Sequence, residues 1–198
     1  ECKTALLREL GLATDRGVPL VGVVSRLWEQ KGLDLAVSVL PKFLRKDSLQ
    51  FVLLGSGDAW LENEFKRLAV DFPQLCAVRI GYDNGLSHRI EAGCDFFLMP
   101  SRFEPCGLNQ MYSMAYGTLP IVRATGGLAD TVSGWDGKKK GTGIIFEHAD
   151  QGGIEWALNR ALELYQQPAT YRSLQKTAMA AEFSWAKSAE AHLECYLG

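Results

Sequence analysis

The sequence predicts an α/β protein with a Rossmann-like, doubly wound parallel sheet of about six strands. Apolar runs rich in β-branched residues alternate with segments of helical periodicity along the whole chain. These apolar runs are continuous, which is typical of parallel strands that helices cover on both faces. At 198 residues the chain fits one domain, and its 47% hydrophobic and 22% charged residues are ordinary for a globular protein.

Each strand is predicted from an apolar run that a glycine or a polar turn closes. The runs lie at residues 20–24, 50–54, 77–80, 95–99, 119–122 and 143–146. Helices are predicted where apolar residues recur every three or four positions. These segments are 3–10, 32–45, 60–70, 86–92, 108–116 and 154 to the end, with breaks near Pro168 and residues 183–184.

Two features interrupt this regular pattern. Pro41 lies inside the second helical segment and predicts a kink or a helix end there, because proline lacks the backbone N–H that a helix interior needs. Residues 134–141 contain three consecutive lysines and are predicted to form an exposed loop, a solvated charge run being favoured over a binding patch.

The net charge and the placement of cysteines and histidines limit the binding partners and the cell compartment that we expect. The net charge of −2 does not favour nucleic acid or an anionic membrane. No apolar run approaches the ~20 residues of a membrane span. The five cysteines form no C-x-x-C pair, and the three histidines are scattered. We therefore expect free thiols in a reducing cytoplasm, no metal site, and no nucleic-acid or membrane partner.

The most informative segment is 100–110, Pro-Ser-Arg-Phe-Glu-Pro-Cys-Gly-Leu-Asn-Gln. It links a predicted strand to a predicted helix, and ligands bind at the carboxyl ends of strands in open α/β sheets. Glu104 can accept hydrogen bonds from sugar hydroxyls, and free N–H groups at the helix start can bind phosphate. These N–H groups belong to Cys106, Gly107, Leu108 and Asn109. The alternative is a structural turn in which Glu104 pairs with Arg102.

Two cations follow the first predicted strand. Arg26 offers a planar fork of donors and Lys31 a mobile point charge, a combination that suits a diphosphate. The alternative is a surface loop with ordinary charges.

A glycine pair follows the fifth predicted strand. Thr125, Gly126 and Gly127 could form a nest of backbone amides that binds an anion. An ordinary turn between a strand and a helix is the alternative.

Two further strand ends carry weaker signals. Tyr82, after the third strand, could stack on a nucleobase. Gly55-Ser56-Gly57 resembles the start of a dinucleotide fingerprint, but Trp60 stands where the last glycine belongs.

Walker A, D-x-D and G-x-S-x-G patterns are absent from the sequence. If a diphosphate leaves here, Arg26, Lys31 and backbone dipoles must therefore stabilise its charge.

Taken together, these segments resemble the C-terminal, nucleotide-sugar-binding domain of bacterial glycogen synthases and plant starch synthases, and they are more similar to the bacterial enzymes. The fold implied is one half of a GT-B glycosyltransferase. The matching stretches are 23–34, 80–90, 100–108, 116–123, 125–132 and 183–185.

The resemblance implies retaining transfer of glucose from ADP-glucose to the non-reducing end of an α-1,4-glucan, without a cofactor. By the same resemblance, Arg26 and Lys31 bind the diphosphate, Tyr82 stacks on adenine, and Glu104 holds hydroxyls of the donor glucose. Backbone amides of two segments contact sugar or phosphate: Cys106, Gly107, Leu108 and Asn109, and Gly126 and Gly127. The implied location is the bacterial cytoplasm, or a plastid for a plant-type source.

Two positions depart from the family pattern. Many related transferases carry a second Glu eight positions after the first, where this chain has Tyr112, so no residue is assigned to the ribose. Asn109 replaces an expected Thr, which puts a side-chain hydroxyl contact in doubt but leaves the backbone contact.

A complete family member is about twice this long, and its N-terminal half supplies the acceptor groove. We therefore expect residues 1–198 to form the donor-binding domain, to bind ADP or ADP-glucose, and to turn over little by themselves. The final helix, 183–198, is expected to pack toward the N-terminal domain and to be exposed without it. Alternatives are a non-catalytic nucleotide- or glucan-binding module, a UDP-glucose-using domain and a dehydrogenase-type dinucleotide domain.

Overall fold

A parallel sheet forms the centre of the fold, as the continuous apolar runs predict. The computed structural model describes residues 1–138 and 140–197. Its strands are β1 Leu20–Leu27, β2 Gln50–Gly57, β3 Cys76–Ile80, β4 Phe96–Met99, β5 Leu119–Arg123 and β6 Ile144–Phe146. Within the described residues they form one sheet of six strands in the order β3-β2-β1-β4-β5-β6, and all neighbouring pairs are parallel.

Helices connect the strands and cover the sheet. They are α1 Cys2–Leu10, α2 Leu33–Leu44, α3 Ala59–Asp71, α4 Asn84–Gly93, α5 Asn109–Tyr116, α6 Gly126–Thr131, α7 Gln151–Tyr165, α8 Pro168–Met179 and α9 Trp185–Leu197. A 3₁₀ turn at Glu29–Lys31 precedes α2. Position 139 of the predicted loop and position 198 of the predicted final helix lie outside the described residues.

Consecutive strand residues belong to two separate cores. In β2, Phe51 and Leu53 join the cluster that includes residues of α2, α3, α7 and α8, whereas Val52 and Leu54 join the cluster with α1 and α4. Successive side chains of a strand point to opposite faces, so each cluster lies on its own face of the sheet. The predicted doubly wound architecture is therefore confirmed.

The strand order reverses between β1 and β4. From β1 the chain adds strands on one side, and from β4 it adds them on the other. The two strands pair only at Val21 with Phe96 and at Gly22 with Phe97, so their carboxyl ends are not joined by the ladder. Ligands bind in the crevice at such a switch point.

The first two strands are longer than predicted. β1 pairs with β2 as far as Leu27 opposite Gly57, so Arg26 lies within the end of β1 and not after it. A Cβ on Gly55 would lie 2.0 Å from the Ser25 carbonyl oxygen, and one on Gly57 would lie 2.5 Å from that of Leu27. Gly55 and Gly57 therefore extend the strand and do not close it, because a glycine allows the neighbouring backbone to approach closely.

Other local predictions also need correction. α2 does not end at Pro41 but continues to Leu44, whose side chain is buried together with Phe43 and keeps the last turn packed on the core. The predicted loop 134–141 is not exposed throughout. Trp135 is buried, and the Arg160 guanidinium lies 4.1 Å from its ring centroid. The short helix α6 was not among the predicted helices.

Candidate functional site

A cavity of about 450 Å³ opens at the carboxyl ends of β1 and β4, where the strand order reverses. Its walls come from the end of β1, the 3₁₀ turn, and the loop between β4 and α5. Its lining includes Arg26, Lys31, Glu104, Gly107, Leu108 and Asn109. The structure thus places all three residues predicted to be catalytic around one cavity, although they are up to 78 positions apart in the sequence.

Lys31 and Glu104 form an ion pair in this cavity. Lys31 Nζ lies 2.6 Å from Glu104 Oε2, and the side chains are 17% and 10% exposed. Ser101 Oγ donates to the same oxygen at 3.3 Å. Glu104 therefore does not pair with Arg102, which was the structural alternative. Because an ammonium group has three donors, Lys31 can hold Glu104 and bind an anion at the same time.

Arg26 is the cation of the cavity that has no protein partner. Its side chain is exposed, and within residues 1–138 and 140–197 its guanidinium makes no hydrogen bond or ion pair. A guanidinium that faces a cavity without a carboxylate partner can bind a phosphate through two parallel hydrogen bonds.

Arg102 joins the 3₁₀ turn that carries Lys31 to the segment between β4 and α5, residues 100–108, which we call the Glu104 loop. Its guanidinium donates to both carboxylate oxygens of Asp34, at 2.6 and 2.7 Å, and to the Glu29 carbonyl oxygen. This hydrogen bonding lowers the pKa of the Asp34 carboxyl below its ordinary value. The Arg102 N–H also donates to the Gln30 carbonyl oxygen at 2.8 Å. These contacts hold the 3₁₀ turn with Lys31 against the Glu104 loop.

Arg123, at the end of β5, supports the Glu104 loop. Its Nε donates to the Ser101 carbonyl oxygen at 2.7 Å, and its guanidinium also donates to the Arg102 carbonyl oxygen. The loop is therefore held by side chains from α2 and from β5, which the sheet brings to one edge.

Gly126 and Gly127 pack against the Glu104 loop, and Thr125 precedes them as the N-cap residue of α6. None of them lines the cavity in the described part of the chain. The Gly127 N–H already donates to the carbonyl oxygens of Glu104 and Pro105, both at 3.2 Å. The Gly127 N–H is thus occupied within the protein, and the predicted contact with a ligand, which would require this group to leave its two acceptors, stays a prediction. The turn between β5 and α6, the alternative considered for this segment, is what the structure contains.

We expect Gly126→Ala to destabilise the protein by about 1–2 kcal/mol more than Gly17→Ala. Both glycines have positive φ, +44° and +68°. A Cβ at Gly126 would lie 2.1 Å from the Glu104 carbonyl oxygen, whereas one at Gly17 would meet no heavy atom within 4 Å. Thermal unfolding of the two variants separates the clash from the backbone strain that they share. Equal losses of stability would contradict this supporting role.

The start of α5 presents backbone donors next to the cavity. The N–H groups of residues 106–109 donate to no acceptor in the described ranges, as is usual for the start of a helix. Gly107, Leu108 and Asn109 line the cavity, and Cys106 does not. The Asn109 side-chain amide donates to the Val24 carbonyl oxygen at 2.9 Å, so this side chain ties α5 to β1.

Tyr82 lies in a second, neighbouring cavity of about 340 Å³. This cavity shares Val24, Ser25, Arg26 and Asn109 with the first. The Tyr82 side chain follows β3 and is 90% exposed, so its ring is free to stack on a ligand. Because they share these residues, the two cavities form one groove, with Lys31 in the first cavity, Arg26 in both, and the Tyr82 ring in the second.

Sequence reasoning missed several groups that build the groove. Asp34, Gln30 and Arg123 were not singled out, because their importance comes from partners as many as 73 positions away. No role was predicted for His88 or for Glu91, although both line the second cavity. A signal for Glu91 was available in the sequence, since a glutamate on the apolar side of a short helix is unusual.

Two kinds of feature are absent from the described residues. They contain no group of three or more His, Cys, Asp or Glu side chains that could hold a metal ion. None of the helices in those ranges is long and apolar enough to cross a membrane.

Comparison with known proteins agrees with this architecture. The family described as "Glycosyl transferases group 1" matches residues 11–178. A glycogen synthase from Anaeromyxobacter sp. (strain Fw109-5) is 53% identical over 195 residues, covering 98% of this chain and 41% of the relative. A glycogen synthase from Rhodospirillum rubrum is 46% identical over 194 residues, covering 98% and 40%. The chain therefore spans about two fifths of the length of these relatives.

A solved structure gives the same assignment. The catalytic domain of starch synthase IV from Arabidopsis thaliana, bound to ADP and acarbose, superposes with a TM-score of 0.88 at 38% identity. The match covers 99% of this chain and 41% of the plant chain. The resemblance to glycogen and starch synthases and the GT-B half-fold are both confirmed, and the dehydrogenase alternative is not supported. On its fold and on the family match across residues 11–178, this chain belongs to the group 1 glycosyl transferases.

Proposed function

We propose that this chain is the donor-binding half of a glycogen or starch synthase that transfers glucose from ADP-glucose to an α-1,4-glucan with retention of configuration. One observation carries the proposal. Arg26, Lys31 and Glu104 line a single cavity at the switch point of the sheet. Two cations and one carboxylate in one cavity match a ligand with a diphosphate at one end and sugar hydroxyls at the other.

The proposed roles follow from the partners of each group. Arg26 binds the diphosphate through its free guanidinium. Lys31 bridges Glu104 and the diphosphate, and stabilises the negative charge that develops as the nucleoside diphosphate leaves. Glu104 accepts hydrogen bonds from the glucose through Oε1, since Oε2 is held by Lys31 and Ser101.

Backbone and aromatic groups complete the proposed donor site. The free N–H groups of residues 106–109 bind phosphate or sugar oxygens at the start of α5. Tyr82 stacks on the adenine ring. Thr125 and Gly126 remain predicted contacts of the donor, and Gly127, whose N–H donates to the Glu104 and Pro105 carbonyl oxygens, acts through the Glu104 loop.

The glucan is proposed to bind to a part of the longer protein that this chain does not include. The curated relatives are more than twice as long as the region they share with this chain. We further propose that α9 packs against that part. Apolar side chains of α9 are exposed, with Trp185 at 89% and Tyr196 at 84%. An apolar helix face of this kind is typical of an interface.

Calorimetric titration with ADP, UDP and NAD tests the proposed nucleotide. We expect ADP to bind saturably and at least about tenfold more tightly than NAD, a difference of about 1.4 kcal/mol. The UDP titration distinguishes the ADP-glucose enzyme from the UDP-glucose alternative. Preferential binding of UDP would replace ADP in the proposal, and absence of binding by all three would overturn it.

A further inference from the structure

The second cavity contains a buried carboxylate that the proposed donor site does not use. Glu91, near the end of α4, lines this cavity although its side chain is only 3% exposed. Glutamate is almost never buried to this extent unless it is paired, because the charged form loses its hydration. Its position therefore requires an explanation.

Among the described residues, only one oxygen of the Glu91 carboxylate has a hydrogen-bond partner. Glu91 Oε2 lies 3.2 Å from His88 Nδ1, a side chain that is half exposed. Glu91 Oε1 accepts no hydrogen bond from the described residues. This oxygen is not fully buried. One carboxylate oxygen is thus held by the protein, while the other keeps some access to solvent in a residue that lines the cavity.

Burial makes this oxygen a strong acceptor site for a ligand. Burial raises the pKa of the Glu91 carboxyl, and His88 opposes this shift. A hydroxyl donor that enters the cavity would supply the hydrogen bond that Oε1 lacks. Hydrogen bonds to a carboxylate in such surroundings are stronger than those between neutral groups.

The position of Glu91 along the groove identifies the class of ligand group. Arg26 lines both cavities and lies where they adjoin, whereas Tyr82 lines the second cavity and not the first. A nucleoside diphosphate with its phosphates at Arg26 and its base on Tyr82 places its sugar between them. Glu91 lines the second cavity together with Arg26 and Tyr82, and so is available to the sugar that joins the phosphates to the base.

We propose that Glu91 is the residue that recognises the ribose, with Oε1 accepting a hydrogen bond from a hydroxyl of the 2′,3′-diol and His88 holding Oε2. This inference rests on the proposed function, since it assumes that a nucleoside diphosphate occupies the groove. It assigns a specificity residue to the sugar of the nucleotide, for which sequence reasoning had no candidate.

The test compares ADP with its 2′-deoxy and 3′-deoxy analogues. Calorimetry on the 198-residue chain measures the three affinities for the unchanged protein, Glu91→Met and Glu91→Gln. We expect the unchanged protein to favour ADP over at least one analogue by about tenfold or more. Glu91→Met should bring this ratio close to one. Glu91→Gln, which keeps an uncharged acceptor, should have an intermediate ratio.

A matched control separates recognition from general damage. Glu64→Met removes a partly buried glutamate on α3 that pairs with Arg67, and it should leave the ratio unchanged. Because the readout is a ratio of affinities for one protein, loss of stability alone does not produce it. Normal ADP binding with the same ratio in all variants would overturn the role of Glu91 and leave the proposed function intact. Failure of the unchanged protein to bind ADP would overturn both.

Discussion

Arg26→Ala is expected to weaken ADP binding by about 10- to 150-fold, which corresponds to about 1.5–3 kcal/mol for one charge-assisted contact. The reason is that Arg26 is exposed to both cavities and has no partner among the described residues. Its removal therefore deletes a ligand contact without leaving a buried protein group unsatisfied. Titration calorimetry with ADP measures the effect.

The control for this experiment is Arg172→Ala, on α8. Arg172 is exposed and lines neither cavity in the described part of the chain. Both variants lose one positive charge, so a general electrostatic effect on an anionic ligand would appear in both. Lys31→Ala is a less selective test, because it also leaves Glu104 without its ion-pair partner. Unchanged ADP affinity in Arg26→Ala would remove Arg26 from the site.

The 198-residue chain by itself is expected to transfer glucose from ADP-glucose to a glucan at least about a thousandfold more slowly than a protein that also contains the missing part. Transfer requires donor and acceptor to be held in contact with water excluded, and closure of two domains supplies this arrangement. The cavity that is proposed to bind the donor is open at one edge of the sheet. Incorporation of labelled glucose into glucan measures the rate.

The affinity of the same preparation for ADP serves as the control for this rate. Retained ADP binding with little transfer supports a donor-binding half that lacks its acceptor half. A rate near that of the longer protein would contradict the division of roles. Binding without transfer, even after the missing part is added, would favour the non-catalytic binding module.

The strands could be predicted because their signal is local. Parallel strands buried on both faces need continuous apolar runs, and such runs occur at every strand of the sheet. Their ends were less predictable. β1 continues to Leu27 because β2 pairs with it that far, and this pairing depends on glycines 30 positions later in the chain.

The convergence of Arg26, Lys31 and Glu104 could also be anticipated. Each lies at or beyond the carboxyl end of a predicted strand, and parallel strands place these ends at one edge of a sheet. Which residues pair there could not be anticipated. Lys31, 73 positions away, is the partner of Glu104, whereas the neighbouring Arg102 binds Asp34.

The amino-acid sequence by itself determined the fold class, the family, and the edge of the sheet where the charged groups gather, because these depend on local hydrophobic patterns and on the order of segments. Only the tertiary structure decided which groups line the cavities and which are occupied within the protein. It showed that the Gly127 N–H donates to the Glu104 and Pro105 carbonyl oxygens, and that the buried Glu91 lines the second cavity. The physical reason is that an ionic or polar group acts through its nearest partners, and in this chain folding brings those partners from distant elements.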